Sequence, residues 1–374
     1  MSGIIHISLP THYHLLTHKS NTFFTTNPIQ FLPFPNATTK NQNLPFLCFS
    51  ANPSSSSSLS SSSQNQSPLV VVGSANADIY VEIDRLPKEG ETISAKTGQT
   101  LAGGKGANQA TCGAKLSYPT YFVGQVGEDA HGKLITDALQ NGGVCLDHLN
   151  TIGSAPTGHA VVMLQSDGQN SIIIVGGANM SCWPGTLPDG DLEVVRNAGI
   201  VLLQREIPDS VNIQVAKAAR SAGVPVIMDA GGMDLAIPQE LLNFVDILSP
   251  NETELGNLTG MPTESFEEIK QAALKCHKLG VKQVLVKLGD KGSALFIEGE
   301  EPIQQPIIPA KTVIDTTGAG DTFTAAFAVA LVEGKSKEEA LKFAAAAASL
   351  CVQVKGAGPS MPDRKSVLDL LNYY

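Results

Sequence analysis

Strand-like and helix-like segments alternate through most of this chain, and this alternation is what most constrains its fold. Short runs rich in Val, Ile and Leu are mostly followed by longer segments with helical spacing of apolar residues. The pattern predicts an α/β fold with a central, mostly parallel sheet and helices on both faces, whose ligands bind at the carboxyl ends of the strands. Predicted strands are 69–72, 120–126, 199–203, 224–228, 246–249, 284–287 and 294–297, and predicted helices are 106–117, 210–222, 239–244 and 265–279.

Two segments break the alternation and predict a second, smaller sheet. Segment 79–99 contains the β-rich runs Tyr80–Ile83 and Glu91–Ser94, and segment 157–176 contains two more around Ser166–Gln169, a hairpin turn signal. We expect these strands to form a small antiparallel sheet that projects from the α/β domain. The alternative is a plain edge hairpin packed on the main sheet.

The N-terminal segment, residues 1–66, differs in composition from the α/β domain at 67–374. It contains no Asp, Glu or Arg, and Ser fills positions 54–63 except at Leu59. A segment without acids and rich in Ser is typical of organelle transit peptides, and the missing Arg favours a plastid over a mitochondrial address. We therefore predict the chloroplast stroma as the location. The alternative is a disordered cytosolic extension.

Composition argues against several classes of partner and site. The formal net charge of −10 disfavours binding to nucleic acid or anionic membranes, which depends on Lys and Arg. No run approaches the roughly 20 apolar residues of a membrane span. The six Cys residues are scattered without a C-x-x-C pair, which indicates a reduced compartment and disfavours zinc.

A glycine-rich turn at Thr316–Thr324 leads into an apolar, amphipathic run with helical spacing. Small residues let the backbone amides of Gly318, Ala319 and Gly320 face an anion, and the helix dipole adds positive potential. Asp321 would then lie in the first turn, where a carboxylate can accept a proton from an attacking hydroxyl. The alternative is an ordinary helix that begins after a glycine-rich turn.

Four further motifs follow in a fixed order along the chain. Together with the Gly-Ala-Gly-Asp turn they resemble the ribokinase branch of the PfkB carbohydrate-kinase family, and the resemblance covers roughly residues 68–370. It implies a ribokinase-like fold whose small sheet forms a β lid and joins two subunits into a homodimer. The motifs are Gly-Ser-Ala-Asn-Ala-Asp at 73–78, Gly-Gly-Lys-Gly-Ala-Asn-Gln-Ala at 103–110, Pro-Asn-Glu-Thr-Glu at 250–254 and Gly-Asp-Lys-Gly at 289–292.

The resemblance assigns a set of residues to a sugar substrate. An ionised Asp accepts two hydroxyl groups and an Asn both donates and accepts, which suits a polyol ligand. Lys105 is assigned to this set only by its place in the motif, and a solvated side chain is the alternative. The implied substrate-binding residues are Asn76, Asp78, Gly104, Lys105, Asn108, Glu206 and the base Asp321.

The resemblance also implies ATP, Mg²⁺ and K⁺. Without it, Asn251 and Glu254 would indicate only a helix N-cap with acids in the first turn. Ala345 departs from bacterial relatives, which commonly carry Asn there, so one hydrogen bond to adenine is in question. The implied positions are Asn251, Lys287, Gly289, Gly292 and Gly320 for ATP, Glu254 for water-bridged Mg²⁺, and Asp315, Thr317, Cys351, Val354, Gly356 and Ser360 for K⁺.

The implied function is ATP-dependent phosphorylation of D-ribose at O5 to give D-ribose 5-phosphate. One alternative is a kinase of another sugar or of a nucleoside. A second is a plastid binding protein that keeps the fold without catalysis. A dinucleotide-dependent dehydrogenase is disfavoured because no G-x-G-x-x-G motif follows the first strand at 69–72.

Overall fold

The computed structural model of this protein describes residues 66–166, 170–233 and 235–374. All but the last residue of the predicted transit peptide, 1–66, lies outside the described residues, as does most of the predicted turn at 166–169. Within the described part, no helix is long and apolar enough to cross a membrane.

The described chain contains strands and helices in the alternating order expected of an α/β protein. The strands are β1 (Leu69–Val72), β2 (Asn76–Ile83), β3 (Thr97–Gly103), β4 (Thr120–Gly127), β5 (Cys145–Ile152), β6 (Gly158–Gln165), β7 (Asn170–Val175), β8 (Ile200–Arg205), β9 (Val226–Gly232), β10 (Ile247–Ser249), β11 (Gln283–Lys287), β12 (Ser293–Ile297) and β13 (Ile303–Gln305). The helices are α1 (Lys105–Lys115), α2 (Ala130–Asn141), α3 (Asp189–Arg196), α4 (Asp209–Ser221), α5 (Gln239–Leu242), α6 (Glu252–Thr259), α7 (Phe266–Lys278), α8 (Ala319–Val332), α9 (Lys337–Cys351), α10 (Ala357–Ser360) and α11 (Arg364–Leu371).

The main sheet has the strand order β13-β12-β11-β10-β9-β8-β1-β4-β5. All pairs from β11 to β5 are parallel, which confirms the predicted sheet, and the edge strands β12 and β13 are antiparallel. The direction of β12 follows from the short turn after β11, because a parallel return needs a long crossover connection.

Both faces of the main sheet are covered by helices. Leu69 and Val71 of β1 belong to one buried apolar cluster, which includes residues of α1, α8 and α9. Val70 and Val72 belong to a second cluster, which includes residues of α4 and α7. Since successive side chains of a strand point to opposite faces, β1 lies in the middle of a sheet buried on both sides.

Helix α8 was predicted to be amphipathic, and this prediction is wrong. All ten residues from Asp321 to Ala330 are buried. A helix that is apolar on every side is typical of a protein interior rather than of a surface. Because α8 packs between the main sheet and α9, the predicted base Asp321 is carried on an element with little freedom to move.

The second sheet has the order β3-β2-β6-β7. Its two outer pairs are antiparallel, as predicted, and its central pair β2 and β6 is parallel. Both of these strands continue from the carboxyl ends of parallel strands, β1 and β5, so they leave the main sheet in the same direction. The predicted run Glu91–Ser94 is not a strand, and β3 begins instead at Thr97.

Candidate active site

The predicted site residues meet at the carboxyl edge of the main sheet. A cleft of about 680 Å³ runs along this edge, between the ends of β10 and β11 and the N-terminus of α8. Its lining includes Lys105, Asn251, Lys287 and Asp321, which come from four separate segments of the chain. The edge is where the topology of parallel sheets places a ligand.

Asp321 is buried in the first turn of α8, close to the start of α1. Its Oδ2 accepts a hydrogen bond from Nδ2 of Asn108 at 2.9 Å, and its Oδ1 accepts one from Nε2 of Gln109 at 3.4 Å. The same Oδ1 lies 3.9 Å from Nζ of Lys105. The structure therefore brings the predicted base together with two residues of the predicted sugar set.

The electrostatic surroundings of Asp321 make it a stronger base than a solvated aspartate. Burial raises its pKa to about 6, and the negative charges of Asp229 and Glu206 act in the same direction. Lys105 and the hydrogen bond from Asn108 act against this rise. A carboxylate with such a pKa is largely ionised at neutral pH and can still accept a proton during the reaction.

The turn before α8 has the geometry of an anion site. Gly318 is its N-cap at φ 80°, a left-handed conformation in which an added Cβ would also lie 2.9 Å from Cβ of Ala357. In the described part of the chain, the amides of Gly318 and Gly320 donate no hydrogen bond to another residue. The Ala319 amide already donates to the carbonyl oxygen of Thr316 at 3.2 Å, so it is the weakest of the three predicted donors.

Asn76 and Asp78 lie on β2 itself, two positions apart, so both side chains share one face of the second sheet. The Asp78 carboxylate lies over Gly103, where an added Cβ would come within 2.0 Å of Oδ2. Burial raises the pKa of Asp78 to about 7, and the nearby charges of Glu206 and Asp321 add to the effect. These three acids therefore surround one small volume.

Gly104 and Glu206 fix the start of α1 against β2 and the sheet edge. Gly104 has φ 91°, and an added Cβ there would lie 2.7 Å from the backbone nitrogen of Asn76. Glu206 accepts hydrogen bonds from Ser74 Oγ at 2.5 Å and from the Lys105 amide at 3.1 Å. A carboxylate at this position complements the helix dipole, so Glu206 has a structural role beside its predicted contact with the sugar.

The nucleotide residues line the same cleft. Asn251 and Glu254 form a capping box at the start of α6, in which each side chain accepts from the other residue's amide at 2.8 Å. Gly289 and Gly292 bound the turn between β11 and β12. The structure therefore confirms the N-cap interpretation of Asn251 and Glu254, and it also places both side chains at the cleft.

Part of the cleft lining is apolar. Ala345 lies there, and it offers no side-chain hydrogen bond to a ligand. The hydrogen bond to adenine that the sequence analysis put in question therefore has no side-chain partner at this position. Other apolar residues in the cleft lining are Ile307, Ile308, Ala310, Val313, Phe323, Ala348 and Val352.

The predicted cation residues also come together, beside the turn before α8. The Asp315 carboxylate accepts from the amides of Thr317 at 2.9 Å and Gly356 at 2.8 Å, and so ties two loops together. Cys351 Sγ lies 3.1 Å from Oγ of Ser360 and donates a weak bond to the Thr317 carbonyl oxygen at 3.9 Å. Val354 lies on the same segment and is 42% exposed.

Comparison with known proteins agrees with this geometry. Residues 66–364 match the model of the pfkB family of carbohydrate kinases. The chain belongs to this family. It is 69% identical to a ribokinase of Arabidopsis thaliana over 100% of this chain and 99% of the relative, and 38% identical to a ribokinase of Bacillus subtilis over 81% of this chain and 99% of the relative.

Solved structures lead to the same family. The structure of Arabidopsis thaliana ribokinase complexed with ribose and ATP is 79% identical, with a TM-score of 0.81 over 82% of this chain and 99% of that one. The structure of a ribokinase of Thermotoga maritima is 38% identical, with a TM-score of 0.74. The match covers 82% of this chain and 99% of that one. The predicted ribokinase-like α/β fold is thereby confirmed.

Two buried residues of this kinase site were not predicted. Asp229, in the middle of β9, accepts from Lys105 Nζ at 3.2 Å and from Lys287 Nζ at 2.6 Å, which rules out a solvated Lys105. Asn179 donates from Nδ2 to Oδ1 of Asn76 at 2.7 Å and so orients that amide. The sequence signals for them were a single acid directly after the apolar run 224–228 and an Asn in the segment Gly-Gly-Ala-Asn at 176–179.

Proposed function

We propose that this protein transfers the γ-phosphoryl group of ATP to O5 of D-ribose, giving D-ribose 5-phosphate and ADP. The observation that carries the proposal is the position of Asp321, which joins the predicted sugar residues to the unpaired amides at the start of α8. The ribose and ATP named for the Arabidopsis structure support the choice of both substrates.

In the proposed reaction, a small number of groups carry out proton transfer, charge stabilisation and positioning of the sugar. Asp321 takes the proton of the O5 hydroxyl as the O5–Pγ bond forms and the bond from Pγ to the β-phosphate oxygen breaks. The amides of Gly318 and Gly320, with the α8 dipole, stabilise negative charge on the transferring group. Asp78 and Glu206 accept hydrogen bonds from hydroxyl groups of the sugar. These bonds hold O5 in line with the γ-phosphorus and its leaving oxygen. Catalysis by positioning and electrostatics is what phosphoryl transfer requires.

Glu254 suits Mg²⁺ bound through water. Its Oε2 is used by the capping box, whereas Oε1 lies beside Gly231, where an added Cβ would overlap it. One free carboxylate oxygen beside the nucleotide cleft fits a metal that keeps several waters and few protein ligands. When bound, Mg²⁺ would neutralise charge on the ATP phosphates.

The substrate assignment is tested by ADP release from the full chain with Mg-ATP and a panel of acceptors. The panel is ribose, 2-deoxyribose, fructose, adenosine and uridine. We expect ribose to give the highest kcat/KM. A higher value for another acceptor would replace ribose as the substrate, and a folded protein without turnover of any acceptor would favour the binding-protein alternative.

We also propose that K⁺ binds beside the turn before α8, where segments 315–317 and 351–360 meet. Backbone carbonyl oxygens of these segments would be its main ligands. Replacing K⁺ by a bulky organic cation should lower kcat by about tenfold, less than the roughly 10²–10³-fold lost with an oxyanion-hole donor. The expected cause is a looser Gly318–Gly320 turn. Steady-state rates at constant ionic strength measure the effect, and equal rates in both salts would contradict the site.

A homodimer through the lid is supported by the edge strand β7. Ile172, Ile173, Ile174 and Val175 are all at least 40% exposed, so both faces of an unpaired edge are apolar. Ile173→Asp and Ile174→Asp, one on each face, should convert a particle of twice the 39.2 kDa chain mass into a monomer. Light scattering after gel filtration gives the mass. Leu274→Asp on α7 is the control, and a wild-type monomer would contradict the proposal.

Plastid import of residues 1–66 is a further proposal, and their composition supports it. A fusion of residues 1–66 to a fluorescent protein should accumulate in chloroplasts of plant cells. A fusion of residues 67–374 should remain in the cytosol. Diffuse cytosolic fluorescence of the first fusion would reject the transit peptide.

A further inference from the structure

Asp229 is a buried carboxylate that the proposed reaction leaves without a role. It is 0% exposed, and its Oδ1 accepts from Lys105 Nζ at 3.2 Å and from the Gly231 amide at 3.0 Å. Its Oδ2 accepts from Lys287 Nζ at 2.6 Å. One carboxylate therefore holds two ammonium groups from distant segments, the start of α1 and the end of β11.

Both lysines line the nucleotide cleft, and their side chains are 25% and 12% exposed. Taken alone, the two ammonium groups and the Asp229 carboxylate carry a net charge of +1. Without the carboxylate, two partly buried cations would repel each other and lose their compensation for burial. Burial opposes the charged form of Lys105, yet Asp229 is the first of several acids that keep its pKa well above the ordinary value.

We propose that Asp229 is a positioning residue for the nucleotide, holding Lys105 and Lys287 side by side where they bind the terminal phosphates of ATP. The proposal rests on the proposed kinase function and adds a residue to it. Lys105 belongs to both halves of the site, because its Nζ also lies 3.9 Å from Asp321. Asp229 thus sets the distance between the phosphate-binding cations and the base.

The geometry makes a charge-specific prediction. Asp229→Asn keeps the size of the side chain and raises the net charge of these three groups from +1 to +2. Lys287→Met leaves Lys105 neutralised by Asp229, a net charge of 0. The double variant returns to +1 with Lys105 in place. The two substitutions should therefore compensate each other, which a role confined to packing would not produce.

The experiment measures KM for ATP, KM for ribose, kcat and ADP affinity for the full-length wild type and the three variants. Asp229→Asn should raise KM for ATP and weaken ADP binding by about 10–10²-fold, the scale of a small displacement of positioning groups, with KM for ribose unchanged. The double variant should bind ADP more tightly than Asp229→Asn. Asp246→Asn, a carboxylate at the opposite end of the sheet, is the matched control.

Wild-type ATP kinetics in a folded Asp229→Asn protein would overturn the proposal, as would losses that multiply in the double variant. If Asp229→Asn does not fold, the comparison of Lys287→Met with the double variant carries the test, and weaker ADP binding by the double variant would overturn it. ADP titration needs no turnover. A failure of the kinase assignment is therefore separate, since it would show as a wild type inactive on every acceptor.

Discussion

Asp321→Asn is expected to lower kcat by about 10²–10⁴-fold, the usual contribution of a general base. The amide keeps the shape of the side chain and can still accept from Asn108, so the sugar pocket stays formed. It cannot take the O5 proton, which then has no acceptor of suitable pKa. KM for ribose should change little. Steady-state kinetics with ribose and ATP measure both constants.

The melting temperature of Asp321→Asn shows whether the loss of kcat could come from unfolding. The pKa of Asp321 is raised in the folded protein, so its ionised form opposes folding at neutral pH, and removal of the charge should leave the melting temperature unchanged or higher. Asp369→Asn, in an exposed ion pair on α11, should keep full activity. A kcat near that of the wild type in Asp321→Asn would exclude the residue as the base.

The same pKa gives the direction of the pH dependence. Asp321 is protonated as pH falls through about 6, and a protonated carboxyl cannot accept the hydroxyl proton. The wild-type rate should therefore fall on the acid side of this value. In Asp321→Asn the residual rate should lack that decline, because the titrating group is gone.

The parallel sheet could be predicted because buried strands leave short apolar runs and their crossover helices leave a periodic pattern. Edge elements leave weaker signals. Cys145–Ile152 forms β5 at the sheet edge with Asp147, His148 and Asn150 in the strand, so its mixed polarity gave no strand prediction. The position of β3 was missed for a similar reason, since Thr97–Gly103 is largely exposed and its register depends on pairing with β2.

The site was predictable where a local motif carries its geometry. Gly318 and Gly320 allow one tight turn at a helix start, and the base follows in sequence. Asp229 and Asn179 act through partners more than 50 residues away, Lys287 and Asn76 among them. Such contacts are set by the order of strands in the sheet, and no local pattern encodes them.

Asp78→Ala is expected to raise KM for ribose by about 10²–10⁴-fold, because two hydrogen bonds to a charged acceptor contribute about 3–6 kcal/mol in total. Asp78→Asn should give a smaller rise, since the amide oxygen can still accept one hydroxyl. Effects on KM for ATP should be slight, because Asp78 is not among the residues that line the nucleotide cleft. Initial rates over a wide range of ribose concentration measure the change.

The proposed contact between Asp78 and the sugar also predicts how KM for ribose depends on pH. Since burial raises its pKa to about 7, protonation begins near neutrality and removes the charged acceptor, so KM for ribose should rise as pH falls through about 7 in the wild type. Asp78→Asn should not show this step. The matched control is Asp84→Asn just beyond the end of β2, where an exposed carboxylate pairs with Lys96. An unchanged KM for ribose in Asp78→Ala would mean that the sugar binds elsewhere. A loss confined to kcat would mean that Asp78 acts on the base Asp321 rather than on the sugar.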